Sequence, residues 1–148
     1  MIPKPPWPNG LLLVLPLLLF NAALAGRLPP TLFGDVGVPG GLRALEHALR
    51  AAVFVGPLWL PTRGGSRAAW WLFGVGAGVY LASWAPALVA GDGPLTRNLA
   101  VYLAPYVTPA SWLLGIAWIG RSRGYGLAAL ALVATHAAHG WFAWSAGS

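Results

Sequence analysis

Apolar residues run along this chain in five stretches, Gly10 to Leu28, Leu42 to Leu60, Ala68 to Ala90, Asn98 to Gly120 and Gly124 to Trp144. The segments between them read "RLPP" and "GVPGG", then "PTRGGSR", "GDGP" and "RSRG", all rich in residues that break helices. A helix needs about 20 residues to cross roughly 30 Å of hydrocarbon. The pattern therefore predicts an all-α integral membrane protein, a bundle of about five transmembrane helices forming a single domain over residues 1–148.

Two stretches depart from the simple pattern. The first has Lys4, a leucine-rich core and "AALAG", in which Ala23 and Ala25 resemble a signal-peptidase site. The proline-rich start "MIPKPPWPNG" and Pro16 inside the core favour a retained span. The second is uninterruptedly apolar only from Ala51 to Leu60, because Glu46, His47 and Arg50 precede that run. It spans if its charged start is accommodated within the protein or at the interface, and a re-entrant or surface helix is the alternative.

Composition strengthens the membrane reading. The chain is 57% hydrophobic and 8% charged with a mean hydropathy of +0.67, against about 25% charged for a soluble domain. Its nine tryptophans suit the two interfaces of a bilayer, where indole rings collect. A net charge of +6 would suggest nucleic acid in a soluble chain, but these basic residues sit in short connections, as the positive-inside bias requires. No nucleic-acid partner is expected. The absence of cysteine excludes disulfides, thiolate metal sites and thiol oxidation. An Ala-, Gly-, Leu- and Arg-rich chain with a single lysine suggests a bacterial source and the inner, cytoplasmic membrane.

Charge also predicts orientation. With five spans, one side receives Lys4, Arg63, Arg67, Arg121 and Arg123, and the other receives Arg27, Arg43 and Arg97 together with Asp35 and Asp92. Orientation follows Lys and Arg, so the N-terminus is expected in the cytoplasm and the C-terminus outside.

That topology gathers the polar side chains in one leaflet. Asn21, Glu46, His47, Arg50, Tyr80, Ser83, Trp84, Tyr102, Tyr106, Thr108, His136 and His139 all fall in the outer half of their spans. At about 100° per residue, Glu46, His47 and Arg50 share an arc of roughly a quarter turn. His136 with His139, and Tyr102 with Tyr106, each face one way. Gly74, Gly78 and Ala82 form a small-residue stripe that suits close approach of another helix, including that of a second copy. Pro105 and Pro109 free backbone carbonyls that need protein or water to satisfy them, as a pocket would.

Ionisable groups inside a membrane are costly, pair with one another and mark candidate sites. Glu46, His47, His136 and His139 are the candidate catalytic residues, and Arg50, Tyr80, Trp84, Tyr102 and Tyr106 the candidate ligand-binding ones. The plainest reading of Glu46 and Arg50 at i and i+4 is an ion pair that neutralises both. His136 and His139 have a spacing that also permits a zinc or iron site with Glu46 or His47, or axial ligation of haem opposite His47. No "GxSxG" or "HExxH" motif supports a particular reaction. The expectation is a small polytopic membrane protein with a polar cavity in the outer leaflet, binding or transforming a lipid-, isoprenoid- or quinone-like amphiphile. A structural subunit and a small transporter are the alternatives.

Overall fold

The computed structural model describes residues 8–28, 34–62, 65–91 and 93–147. Lys4, Arg63 and Asp92, which enter the charge count above, lie outside the described residues. The described chain is helical: α1 (Leu11–Ala25), α2 (Gly40–Val55), α3 (Arg67–Ala90), α4 (Leu99–Ile119) and α5 (Arg123–Gly147). A short 3₁₀ turn, Gly56–Trp59, prolongs α2.

Local chemistry sets these boundaries. The Ser66 hydroxyl accepts from the Ala69 N–H at 3.2 Å, and the Asn98 side chain accepts from Ala100 at 3.0 Å, each satisfying a free donor at a helix start. Proline punctuates the long helices: α3 breaks at Trp84, two residues before Pro86, and α4 breaks at Thr108, just before Pro109. At the second break the Thr108 hydroxyl donates to the Ala104 carbonyl at 2.8 Å and lies 3.2 Å from Ser83 on α3.

Three helices, α3, α4 and α5, are long and apolar enough to cross a membrane. The first two stretches form shorter helices than the hydropathy pattern predicts. α1 has 15 residues and α2 has 16, about 22 to 24 Å of helix each at 1.5 Å per residue. After Ala25 the α-helix of α1 gives way to a turn, in which the Arg27 N–H donates to the Leu24 carbonyl at 2.7 Å. In α2 the ring of Pro57 tightens the last turn into 3₁₀ geometry.

α3 and α4 make the closest helix pair. A Cβ on Gly76 would stand 2.7 Å from the backbone nitrogen of Trp112, and one on Gly115 would stand 2.6 Å from that of Phe73. Both positions demand glycine, because no side chain fits between two backbones so near. The Gly74, Gly78 and Ala82 stripe does not make this contact: all three are exposed, and nothing lies within 4 Å of a Cβ built on either glycine. Two residues' offset turns Gly76 to the far side of the helix from Gly74 and Gly78.

α5 packs against α2 on one side and α4 on the other, and α1 lies at the edge. Val14, Val53, Tyr80, Trp112, Leu113 and Ile116 form the core between them. The connections sort to two ends. At one, Gly10 donates to the Leu60 carbonyl at 2.8 Å and Thr62 to that of Pro8 at 3.3 Å, with Gly65 against Ile119 and Gly120 against Leu60. At the other, Gly37 meets Ala146, and the Trp144 indole donates to the Arg97 carbonyl at 3.3 Å.

Candidate functional site

α2 carries Glu46 into the protein at 2% exposure, despite the cost of burying a carboxylate. Three side chains satisfy it. Arg50, one turn later on the same helix, donates from Nη2 to Oε1 at 2.5 Å. From α5, His136 Nδ1 lies 2.7 Å from Oε1, and His139 Nδ1 lies 2.6 Å from Oε2. Two nitrogens facing carboxylate oxygens this closely must carry hydrogen, since lone pair against lone pair would repel. His136 Nδ1 also lies 3.2 Å from Arg50 Nη2, so Glu46, Arg50 and His136 form one compact triangle.

His139 continues the chain of contacts toward the surface. Its Nε2 is 3.5 Å from Oδ1 of Asp35, a residue whose side chain is 56% exposed. Arg43, one turn before Glu46, holds the other oxygen of Asp35 at 3.3 Å. Asp35 reaches this position because its loop docks on α5 through Gly37. Gly37 has φ +75°, and a Cβ there would collide with the Ala146 Cβ at 2.6 Å, so only glycine serves. His139 thus spans two carboxylates, one buried and one exposed.

Aromatic rings back the histidines. The Tyr106 ring centroid is 4.5 Å from that of His136 and 6.3 Å from that of His139, and Tyr102 stacks on Tyr106 at 5.7 Å. Gly140 admits this packing, because a Cβ there would stand 2.9 Å from the Tyr106 ring.

Beside the triangle lies a cavity of about 470 Å³, within the range of small-molecule sites. Its walls are apolar, drawn from α1, α2, α4 and α5, with Phe54, Leu113 and Leu132 among them. Its polar lining is Asn21, Arg50, Tyr80 and His136, with Trp84 and Trp112 adding indole faces. The Tyr80 hydroxyl donates to the Asn21 side chain, tying α3 to α1 across this space. The Trp112 indole N–H is buried without a hydrogen-bond partner among the described residues. Pro105 and Pro109 line the cavity, where the interrupted α4 backbone meets open space.

Of the residues singled out from sequence, Glu46, Arg50, His136 and His139 come together within hydrogen-bonding distance. Arg50, Tyr80, Trp84 and His136 line the cavity. Tyr102 and Tyr106 are buried behind the histidines and do not line it. His47 is exposed and takes no part in the cluster. One step along α2 from Glu46 is a rotation of about 100°, enough to leave the packed face. His47 is therefore not opposite His136 or His139, and the haem pairing that the spacing permitted is not the arrangement found. Among the described residues no group of three His, Cys, Asp or Glu is arranged to hold a metal ion. His136 and His139 direct their Nδ1 atoms at two oxygens of one carboxylate, as hydrogen-bond donors do, and not at a common point. Sequence reasoning missed Asp35 and Gly37 as parts of the site. The "GDVGVPGG" run signalled a tight turn, but nothing in it pointed to α5.

No family model matches this chain, and comparison with curated proteins and with solved structures finds no match.

Proposed function

We propose that this chain is a multi-pass protein of a bacterial inner membrane whose cavity binds or transforms a lipid-like, isoprenoid-like or quinone-like amphiphile. The observation that carries this reading is the cavity itself: about 470 Å³ of space with mostly apolar walls, and polar groups from Arg50, His136, Asn21 and Tyr80. An amphiphile matches both parts at once, its tail against Phe54, Leu113 and Leu132 and its head against Arg50 and His136. Three helices of sufficient length and apolarity support the membrane setting. The sorting of the connections to two ends supports five alternating crossings, with α1 and α2 as the short members. On this reading Tyr102, Tyr106, Glu46 and His139 position Arg50 and His136 and do not touch the ligand. The Gly74, Gly78 and Ala82 face remains open to lipid or to a second copy.

Purification in a mild detergent followed by mass spectrometry of the extracted organic phase tests the reading. An amphiphile should be retained in stoichiometric amount, and Leu132→Trp, which fills the cavity, should lower its occupancy at least tenfold. Equal retention by the filled variant, or no retention and no binding of any added amphiphile, would exclude it. A structural subunit is favoured by one observation, the complete satisfaction of Glu46, and that reading gains if the filled variant is more stable and nothing else changes.

A further inference from the structure

Resting on the cavity reading, we infer that the site takes amphiphiles with a carboxylic acid head by counter-ion exchange. The ligand carboxylate replaces Glu46 as the partner of Arg50, while Glu46 accepts a proton that reaches it through Asp35 and His139.

The geometry carries each part. Glu46 does not line the cavity; it lies behind Arg50 and His136, which do. Every contact described for Arg50 is made by Nη2, so Nε and Nη1 remain to meet an acceptor, and its side chain is 41% exposed. A guanidinium fork with free N–H groups binds a carboxylate in preference to a neutral head. No acidic side chain lines the cavity among the described residues.

An anion arriving there meets a charge balance already closed. Arg50 is neutralised by Glu46, and Arg43 by Asp35. A second carboxylate on Arg50 would leave one uncompensated negative charge in a place of low dielectric. Two carboxylates sharing one site relieve this by taking up one proton between them. The balance is R–COO⁻ + Glu46–COO⁻ + H⁺ → R–COO⁻ + Glu46–COOH, with the new O–H bond on Glu46 and the freed guanidinium charge turned to the ligand. When the ligand arrives as R–COOH, its own O–H bond breaks and that proton is the one transferred.

The proton has a route from water. Asp35 is exposed, His139 Nε2 lies 3.5 Å from it, and His139 Nδ1 lies 2.6 Å from Glu46 Oε2. An imidazole that is hydrogen-bonded to one carboxylate at Nδ1 and faces another across 3.5 Å at Nε2 passes a proton by receiving it on Nε2 and releasing it from Nδ1. The groups facing Glu46 are Arg50 on its own helix and His136 and His139 on α5, with the Tyr106 ring of α4 tilted against the imidazoles. Arg43 acts on the path through Asp35.

Isothermal titration with laurate tests this, repeated at one pH in two buffers of different ionisation enthalpy so that the proton count is read directly. Wild-type protein is expected to take up about one proton per laurate bound, and to prefer laurate over dodecanol by at least tenfold. Glu46→Gln, a neutral isostere of the protonated acid, should bind laurate at least as tightly with no proton uptake. Asp35→Asn, an exposed substitution that spares the fold, should keep the stoichiometry and slow the uptake at least tenfold in stopped flow with a pH indicator. Laurate binding without proton uptake in the wild type would overturn the exchange, as would loss of binding in a Glu46→Gln protein whose melting temperature is retained. An unchanged uptake rate in Asp35→Asn would overturn the route. If dodecanol binds and laurate does not, the exchange fails while the cavity reading stands; if neither binds, the exchange fails, and the cavity reading is decided separately by the retained-amphiphile measurement.

Discussion

Glu46 is the residue on which the other side chains of the site depend. Buried at 2% exposure, it accepts from one guanidinium and two imidazoles, so its removal strands three donors at once. Breaking a buried ion pair on one side costs about 3 to 5 kcal/mol. Glu46→Ala should therefore lower stability by about 3 kcal/mol, read from reversible unfolding in detergent. His139→Ala should lower it less, since Glu46 keeps two donors. Because both residues act through one hydrogen bond, the double variant should differ from the sum of the singles by more than 0.5 kcal/mol. Additivity within that margin would mean that the cluster is not energetically coupled. His47→Ala, at an exposed position with no contact to the cluster, should change stability by less than about 0.5 kcal/mol.

At the level of the helices, glycine distinguishes the packed face from the open one. Gly115→Ala would push a methyl group to 2.6 Å from the Phe73 backbone, and neither helix has a flexible side-chain end to yield. Overpacking of this kind costs about 1 to 3 kcal/mol. Gly74→Ala meets nothing within 4 Å and gains the higher helix propensity of alanine, about 1 kcal/mol. Opposite shifts in melting temperature for these two variants are the expected result; a drop in both would place Gly74 in a contact between copies. The same pair shows what periodicity conveys. Spacing of four residues marked Gly74, Gly78 and Ala82 as a face, and they do form one, but nothing in spacing says whether a face meets another helix. Gly76, alone in its phase on α3, found its partner through Trp112 and Gly115 on α4, which only the three-dimensional pairing reveals. Helical phase did succeed for His136 and His139, because both rings on one side of α5 needed only one acceptor to face them. It failed for His47, where an arc of a quarter turn was wider than the packed face of α2. Asp35 was illegible for a different reason: its role depends on a loop folding back over about 100 residues of sequence to α5, a contact with no local signature.

For the whole molecule, the ends of the bundle carry the prediction that matters most, because α2 decides the direction of everything after it. Residues 8–10, 57–62, 65 and 119–120 meet at one end, while the loop at Gly37, Arg97 and the last turns of α5 meet at the other. If α1 and α2 both cross, Val36 lies outside and Thr62 and Gly124 lie in the cytoplasm. If α2 dips in and returns, Thr62 joins Val36 outside and every later loop changes side. The chain contains no cysteine, so single substitutions Val36→Cys, Thr62→Cys and Gly124→Cys report without background. A membrane-impermeant maleimide added to intact cells or right-side-out vesicles should label Val36→Cys alone, and inverted vesicles should label the other two. Labelling of Thr62→Cys and Gly124→Cys from outside would mean that α2 does not cross. It would also turn the C-terminal end of α5 to the cytoplasm, away from Val36. That outcome conflicts with the geometry, since Gly37 packs directly on Ala146 and Asp35 reaches His139 on the same helix. Two segments in contact cannot be on opposite sides of a bilayer, so the His139 to Asp35 contact ties the topology of α2 to the integrity of the site.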